Sequence, residues 1–131
     1  MKILLDTHIV LWSLFASGRL SHQQSGILID KNNEIFVSAV TVWEISLKFS
    51  LGKLDLPGIK PDRVPHLIEK AGFKSIDLTN NEVANFFELP VLTHKDPFDR
   101  MLIWQAIQRG LYFMSHDPAV HEYQRFGLKV I

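Results

Sequence analysis

Short apolar runs of strand length alternate with longer runs of helical length along this chain, and that alternation leaves few folds open. "KILLD" (2–6) is a short apolar run that reads as a buried strand, and "THIVLWSLF" continues it at helical length. "SHQQSGILIDK" (21–31) opens on a serine suited to an N-cap and reads as a second helix. "EIFVSA" (34–39) is β-branched and aromatic, hence a second strand, and "VTVWEISLKFSLGKL" (40–54) reads as a helix stopping around Gly52. "DLPGIKPDRVP" (55–65) is proline-rich and reads as a loop, with a helix expected over 64–71.

"FKSIDL" (73–78) is a third strand, and in "TNNEVANFFELP" Thr79 and Glu82 have capping-box spacing at the head of a helix. "HKDPFDRMLIWQA" (94–106) begins the next helix, which runs to about Gly110; "LYFMS" (111–115) is a fourth strand, "HDPAVHEY" a short helix and "LKVI" a terminal strand. The pattern predicts an α/β sandwich around a central, mostly parallel sheet of about five strands. No repeat or second-domain linker interrupts it, and 131 residues suit a single domain, 1–131.

Composition narrows the function. There is no cysteine, which excludes disulfides, zinc-thiolate sites and cysteine nucleophiles. Fourteen basic and fourteen acidic side chains cancel, which argues against a uniformly basic nucleic-acid binder while leaving room for a local basic patch. The N-terminal run resembles a short signal peptide, but Asp6 and His8 interrupt its apolar part, and it reads as folded structure. No run reaches the ~18 apolar residues of a membrane span, so the expectation is a soluble cytoplasmic protein without a membrane partner.

In open α/β sheets ligands bind at the carboxyl ends of the strands, and the acids gather there. Asp6 ends the first strand, and Asp117 lies just beyond the fourth. Asp99 falls in the first turn of the helix entering the fourth strand, and Glu44 lies early in the helix after the second. Helical side chains lean toward the N-terminus, so Glu44 can point back to the strand ends.

Taken singly, each acid has a plainer reading. Asp6, Asp117 and Asp96 are suited to N-caps, Asp99 to the helix dipole, and Glu44 to a surface pair with Lys48 four residues on. Taken together, capping does not explain acids after two strands and on two oily helices. Glu44 is flanked by Val42, Trp43, Ile45 and Leu47, where an unpaired charge is costly. Converging carboxylates need a cation between them, and Mg²⁺ or Mn²⁺ suits an all-oxygen set. Such an ion activates water and polarises a phosphoryl oxygen, which suggests phosphodiester hydrolysis.

"LLDTHIVLW", "VSAVTVWEISLKFSLGKL", "LPVLTHKDPFDRMLIWQA" and "YFMSHDPAV" follow one another as in PIN-domain proteins, and the chain resembles the VapC-type toxins of bacterial toxin–antitoxin pairs most. The resemblance implies a three-layer α/β/α fold, a Mg²⁺- or Mn²⁺-dependent endoribonuclease, an RNA substrate, a small antitoxin partner and a homodimer. Carried over by position, the catalytic metal carboxylates would be Asp6, Glu44, Asp99 and Asp117. Thr7 and Ser115 would be supporting hydroxyls, and Asp96 a cap or supporting acid.

Three positions depart from the family pattern: Trp104 stands where a small residue is common, His8 where asparagine is common, and "MSH" precedes Asp117 in place of threonine plus a basic residue. Trp104 reads as core or as part of a dimer face. Lys48, Lys53, Lys95 and Arg100 lie near the acids in sequence, with Lys48 and Arg100 the candidate RNA contacts. Arg100 also has the option of pairing with a carboxylate.

The main rival is a non-catalytic PIN-like module whose acidic rim binds metal or protein. A haloacid-dehalogenase-type phosphotransferase needs a second acid two residues after the first, where His8 stands, and a receiver domain needs an acid pair where only Asp6 is present.

Overall fold

A computed structural model describes residues 1–131. Five strands, β1 (Lys2–Leu5), β2 (Glu34–Ser38), β3 (Lys74–Ile76), β4 (Tyr112–Met114) and β5 (Lys129–Val130), form one sheet in the order β3-β2-β1-β4-β5. Every pairing is parallel, so the expected mostly parallel sheet is wholly so. Parallel neighbours need crossovers, and six α-helices supply most of them: α1 (Thr7–Phe15), α2 (His22–Ile29), α3 (Ala39–Ser50), α4 (Val64–Lys70), α5 (Asn80–Ala84) and α6 (Pro97–Arg109).

The pleat of β1 explains the layers. Ile3, Leu4 and Leu5 are all fully buried, yet Ile3 and Leu5 join one apolar cluster and Leu4 the other. The neighbouring strands keep this register: Ile3 pairs with Ile35, Leu4 with Phe36 and Phe113, and Leu5 with Met114. On one face lie Ile9 and Val10 of α1, Ile45 of α3, and Val64 and Ile68 of α4. On the other lie Leu102, Ile103, Trp104 and Ala106 of α6, with Val120 and Tyr123 of the 3₁₀ helix Pro118–Phe126. This is the three-layer α/β/α arrangement.

Element ends follow local chemistry. Ser21 and Gln24 form a capping box on α2, and Thr79 and Glu82 form one on α5. Gly110 ends α6 at φ 65°, a left-handed conformation that glycine adopts without steric penalty. Two expected helices are shorter or tighter than their sequence suggested. The segment after β3 is α5 plus a 3₁₀ turn at Phe86–Glu88, and the one after β4 is the 3₁₀ helix. Beginning at β1 in mid-sheet, the chain builds outward to β3 and returns to β4 on β1's other side. The reversal puts a topological switch point between the carboxyl ends of β1 and β4, where such sheets form a crevice.

Candidate active site

Asp6 sits at this switch point, 3% exposed, its backbone N–H bonded to Met114 O at 2.9 Å. Its two oxygens divide the work. Oδ1 accepts from Ile9 N at 2.9 Å and caps α1, whereas Oδ2 accepts from Ser115 Oγ at 2.5 Å and His116 N at 3.2 Å. Capping and a site role therefore coexist in one carboxylate. Asp117 repeats the division: Oδ1 caps the following 3₁₀ helix through Ala119 N at 2.9 Å, and Oδ2 lies 3.2 Å from His94 Nδ1. Ser115 Oγ also accepts from Asp117 N at 3.0 Å, which ties the two acids to one hydroxyl.

Glu44 is brought to the same rim by α3. It is 2% exposed, accepts from Thr7 Oγ1 at 2.6 Å and is ion-paired with Lys48. Thr7 in turn lies 3.2 Å from Thr41 Oγ1, so a small buried hydroxyl pair fixes the rotamer of the acid. Burial opposes the charge on Lys48, but Glu44, Asp96 and Asp99 outweigh it and hold the ammonium above the ordinary lysine range.

Asp96 caps α6, its Oδ1 accepting from Asp99 N at 3.0 Å. Asp99 is half-buried and makes no cap; its Oδ2 lies 2.8 Å from His94 Nε2. Burial pushes its carboxyl up, and the charges of Asp96 and Glu44 push it further against the opposing contact from His94. The negative charge of the rim is thus felt by its own members, which is the condition that favours a cation.

The PIN-domain family model matches residues 3–125. The chain belongs to the PIN-domain family. Solved structures with the same fold include VapBC2 from Rickettsia felis bound to a DNA fragment from its promoter, at 16% identity and TM-score 0.66, covering 100% of this chain and 98% of that one. DNA-bound VapBC from Salmonella typhimurium is similar at 16% identity and TM-score 0.66, covering 100% and 97%. FitAcB from Neisseria gonorrhoeae is similar at 20% identity and TM-score 0.63, covering 98% and 96%. At such identities the likeness is one of fold. No curated protein sequence matches the chain.

In this PIN domain three of the four sequence-nominated acids are linked through Asp117, and Glu44 is held separately. Asp6 and Asp117 share Ser115, and Asp99 joins Asp117 through His94. Glu44 is bound to Thr7, the residue after Asp6. No three histidine or acidic side chains stand together in a geometry that could hold an ion; Lys48 lies against Glu44, and His94 between Asp99 and Asp117.

Arg100 Nη2 donates to Leu89 O at 3.0 Å and its guanidinium lies over the Phe86 ring at 4.8 Å, contacts that anchor the loop before α6. Lys48 stays at the rim. Trp104 is core and not a dimer face: it is 6% exposed, and its Nε1 donates to Glu82 O and Asn85 Oδ1. Its width fills the gap between α6 and α5.

His94, His116 and Thr41 escaped the sequence reading. The only signal for His94 was its place at the head of "HKDPFD", five residues before Asp99. His116 and Thr41 had no comparable signal, since their partners Asp6 and Thr7 are remote in the chain. No helix is long and apolar enough to cross a membrane.

Proposed function

We propose that this PIN domain is the nuclease toxin of a toxin–antitoxin pair, a metal-dependent endoribonuclease hydrolysing RNA phosphodiesters at the Asp6–Glu44–Asp99–Asp117 rim. The observation that carries the reading is the set of four carboxylates at the carboxyl edge of an all-parallel sheet, two of them nearly inaccessible and each accepting a hydrogen bond from a hydroxyl.

The donor chemistry fits Mg²⁺ or Mn²⁺: hard carboxylate oxygens, with Asp99 pushed up by burial and then by the charges of Asp96 and Glu44. Asp6, Glu44, Asp99 and Asp117 are the residues that would hold it, with Lys48 and His94 giving way. When bound, such an ion supplies a water of lowered pKa and polarises the scissile phosphoryl group. The chain's own residues do the rest. Thr7 aims Glu44, Ser115 aims Asp6 and holds the turn of Asp117, and Asp96 fixes the first turn of α6 so that Asp99 faces inward. Lys48, displaced from Glu44, remains a cation at the rim for a substrate phosphate.

A small antitoxin and a second copy of the chain are the proposed partners. The support for the antitoxin is the likeness to the VapBC and FitAcB structures. The second reading is a non-catalytic module, favoured by the contacts of Lys48 and His94 with the inward oxygens.

The two readings separate in a cleavage assay on a mixed RNA panel with Mn²⁺, Mg²⁺ or EDTA, with Asp6→Ala in parallel and metal binding followed by calorimetry. Metal-dependent cleavage lost in the variant is the expected result. Metal binding without cleavage of any RNA favours the module, and neither binding nor cleavage would overturn the metal-site reading altogether.

A further inference from the structure

Beside Asp6, three rings stand together at the protein surface. His8 and His116 are exposed and their centroids lie 4.1 Å apart; Trp12 is half-buried and meets His116 at 5.4 Å and His8 at 6.1 Å, edge to face. Arg19 lies over the Trp12 ring at 4.9 Å. The cluster is fastened to the rim, since His116 Nδ1 is 3.2 Å from Asp6 Oδ2 and its backbone N–H donates to the same oxygen.

Packing does not account for it. Ile9 and Val10, the α1 neighbours of His8, are fully buried, whereas His8 is exposed and its ring lies against those of Trp12 and His116. Two exposed imidazoles and an indole edge bury little apolar area. What they offer is ring faces and edges, with the Arg19 guanidinium over the Trp12 ring, next to the proposed scissile position.

We propose that His8, Trp12 and His116 form a nucleobase-stacking platform, on which a base flanking the scissile phosphate of single-stranded RNA is held while Arg19 meets the backbone. This inference rests on the ribonuclease reading and adds the surface on which that substrate is held. Bases in an RNA duplex already stack on one another, so a platform of this kind selects unpaired strands. It reads no hydrogen-bonding edge, and stacking of this type tolerates all four bases.

The test compares two fluorescein-labelled octamers by anisotropy, in EDTA and again in Ca²⁺: a mixed-sequence RNA and the same backbone made fully abasic. Loss of a base–aromatic contact corresponds to about a 5- to 150-fold weakening. His8→Ala and His116→Ala are expected to weaken the mixed octamer within that range and leave the abasic one unchanged. His8→Phe, which restores a ring, is expected to recover most of the affinity.

A mixed-to-abasic affinity ratio unaffected by either alanine variant overturns the platform, as does an RNA duplex that binds as tightly as the single strand. If RNA is cut in the panel but the ratio does not respond, only the platform falls. If no RNA is cut and neither octamer binds, the nuclease reading falls and the platform with it.

Discussion

Glu82 offers the sharpest quantitative test of how this fold is held. It is 7% exposed, on α5, and its carboxylate accepts from Arg109 Nε at 2.8 Å, Arg109 Nη2 at 2.9 Å, Thr79 N at 3.0 Å and Gln105 Nε2 at 3.2 Å. Gln105 also accepts from Ser38 Oγ, the residue that caps α3, so the network joins α5 and α6 to the helix carrying Glu44. Burial alone would raise the Glu82 carboxyl. Arg109, the Thr79 N–H and Gln105 outweigh it and bring it from the ordinary 4.5 down to about 2.

That difference, at about 1.36 kcal/mol per pH unit, sets a ceiling of about 3.4 kcal/mol for the charge of Glu82. The Arg109 side chain is 31% exposed, so solvent screening reduces the expected value to about 1.5–3 kcal/mol. A carboxyl held lower in the folded state than in the unfolded one stabilises fully above the unfolded value of 4.5 and loses that contribution as pH falls toward about 2. The perturbation is Glu82→Gln, which keeps shape and most acceptor geometry but removes the charge.

Urea unfolding of both proteins at pH 7, 5, 4 and 3 is the assay, because every other carboxylate titrates alike in the two and cancels in the difference. The gap is expected to be about 1.5–3 kcal/mol at pH 7, with more than half of it gone by pH 3. A gap that stays constant over this range would mean that shape, not charge, holds Glu82, and would refute the reasoning.

Asp96→Ala removes the cap of α6 and should lower stability by about 0.5–2 kcal/mol in thermal melts, whereas Asp99→Asn should abolish RNA cleavage without lowering the melting temperature. The opposite assignment of the two effects would exchange their roles. Thr7→Val leaves the buried Glu44 without its 2.6 Å donor and is expected to reduce cleavage at least tenfold with a folded circular dichroism spectrum; undiminished cleavage would remove Thr7 from the site. Trp104→Phe strips two hydrogen bonds from the α5–α6 contact and should cost about 1–3 kcal/mol in urea unfolding, with no change if the indole serves only as bulk.

The chain's own order determined what is local. Caps at Ser21, Thr79 and Asp96 were legible because donor and acceptor lie three residues apart, and the strand–helix alternation was legible because period and run length are properties of short windows. Asp6, Asp99 and Asp117 could be nominated because each follows or heads an element with a readable boundary, and Glu44 because it is a charge among apolar neighbours. Their arrangement could not.

Ser115 meets Asp6 across 109 positions and Thr7 meets Glu44 across 37; only the sheet order, with β4 returning beside β1, brings those ends together. The same holds for Trp104, whose indole finds Glu82 and Asn85 in the core, and for Arg100, which donates to Leu89 O eleven residues back. His94 is the clearest case. Its sequence neighbours placed it near Asp99, but its position between Asp99 and Asp117 depends on two segments meeting at the switch point. Side-chain hydrogen bonds have a reach of about 3 Å, so which distant atoms come within that reach is decided by packing alone.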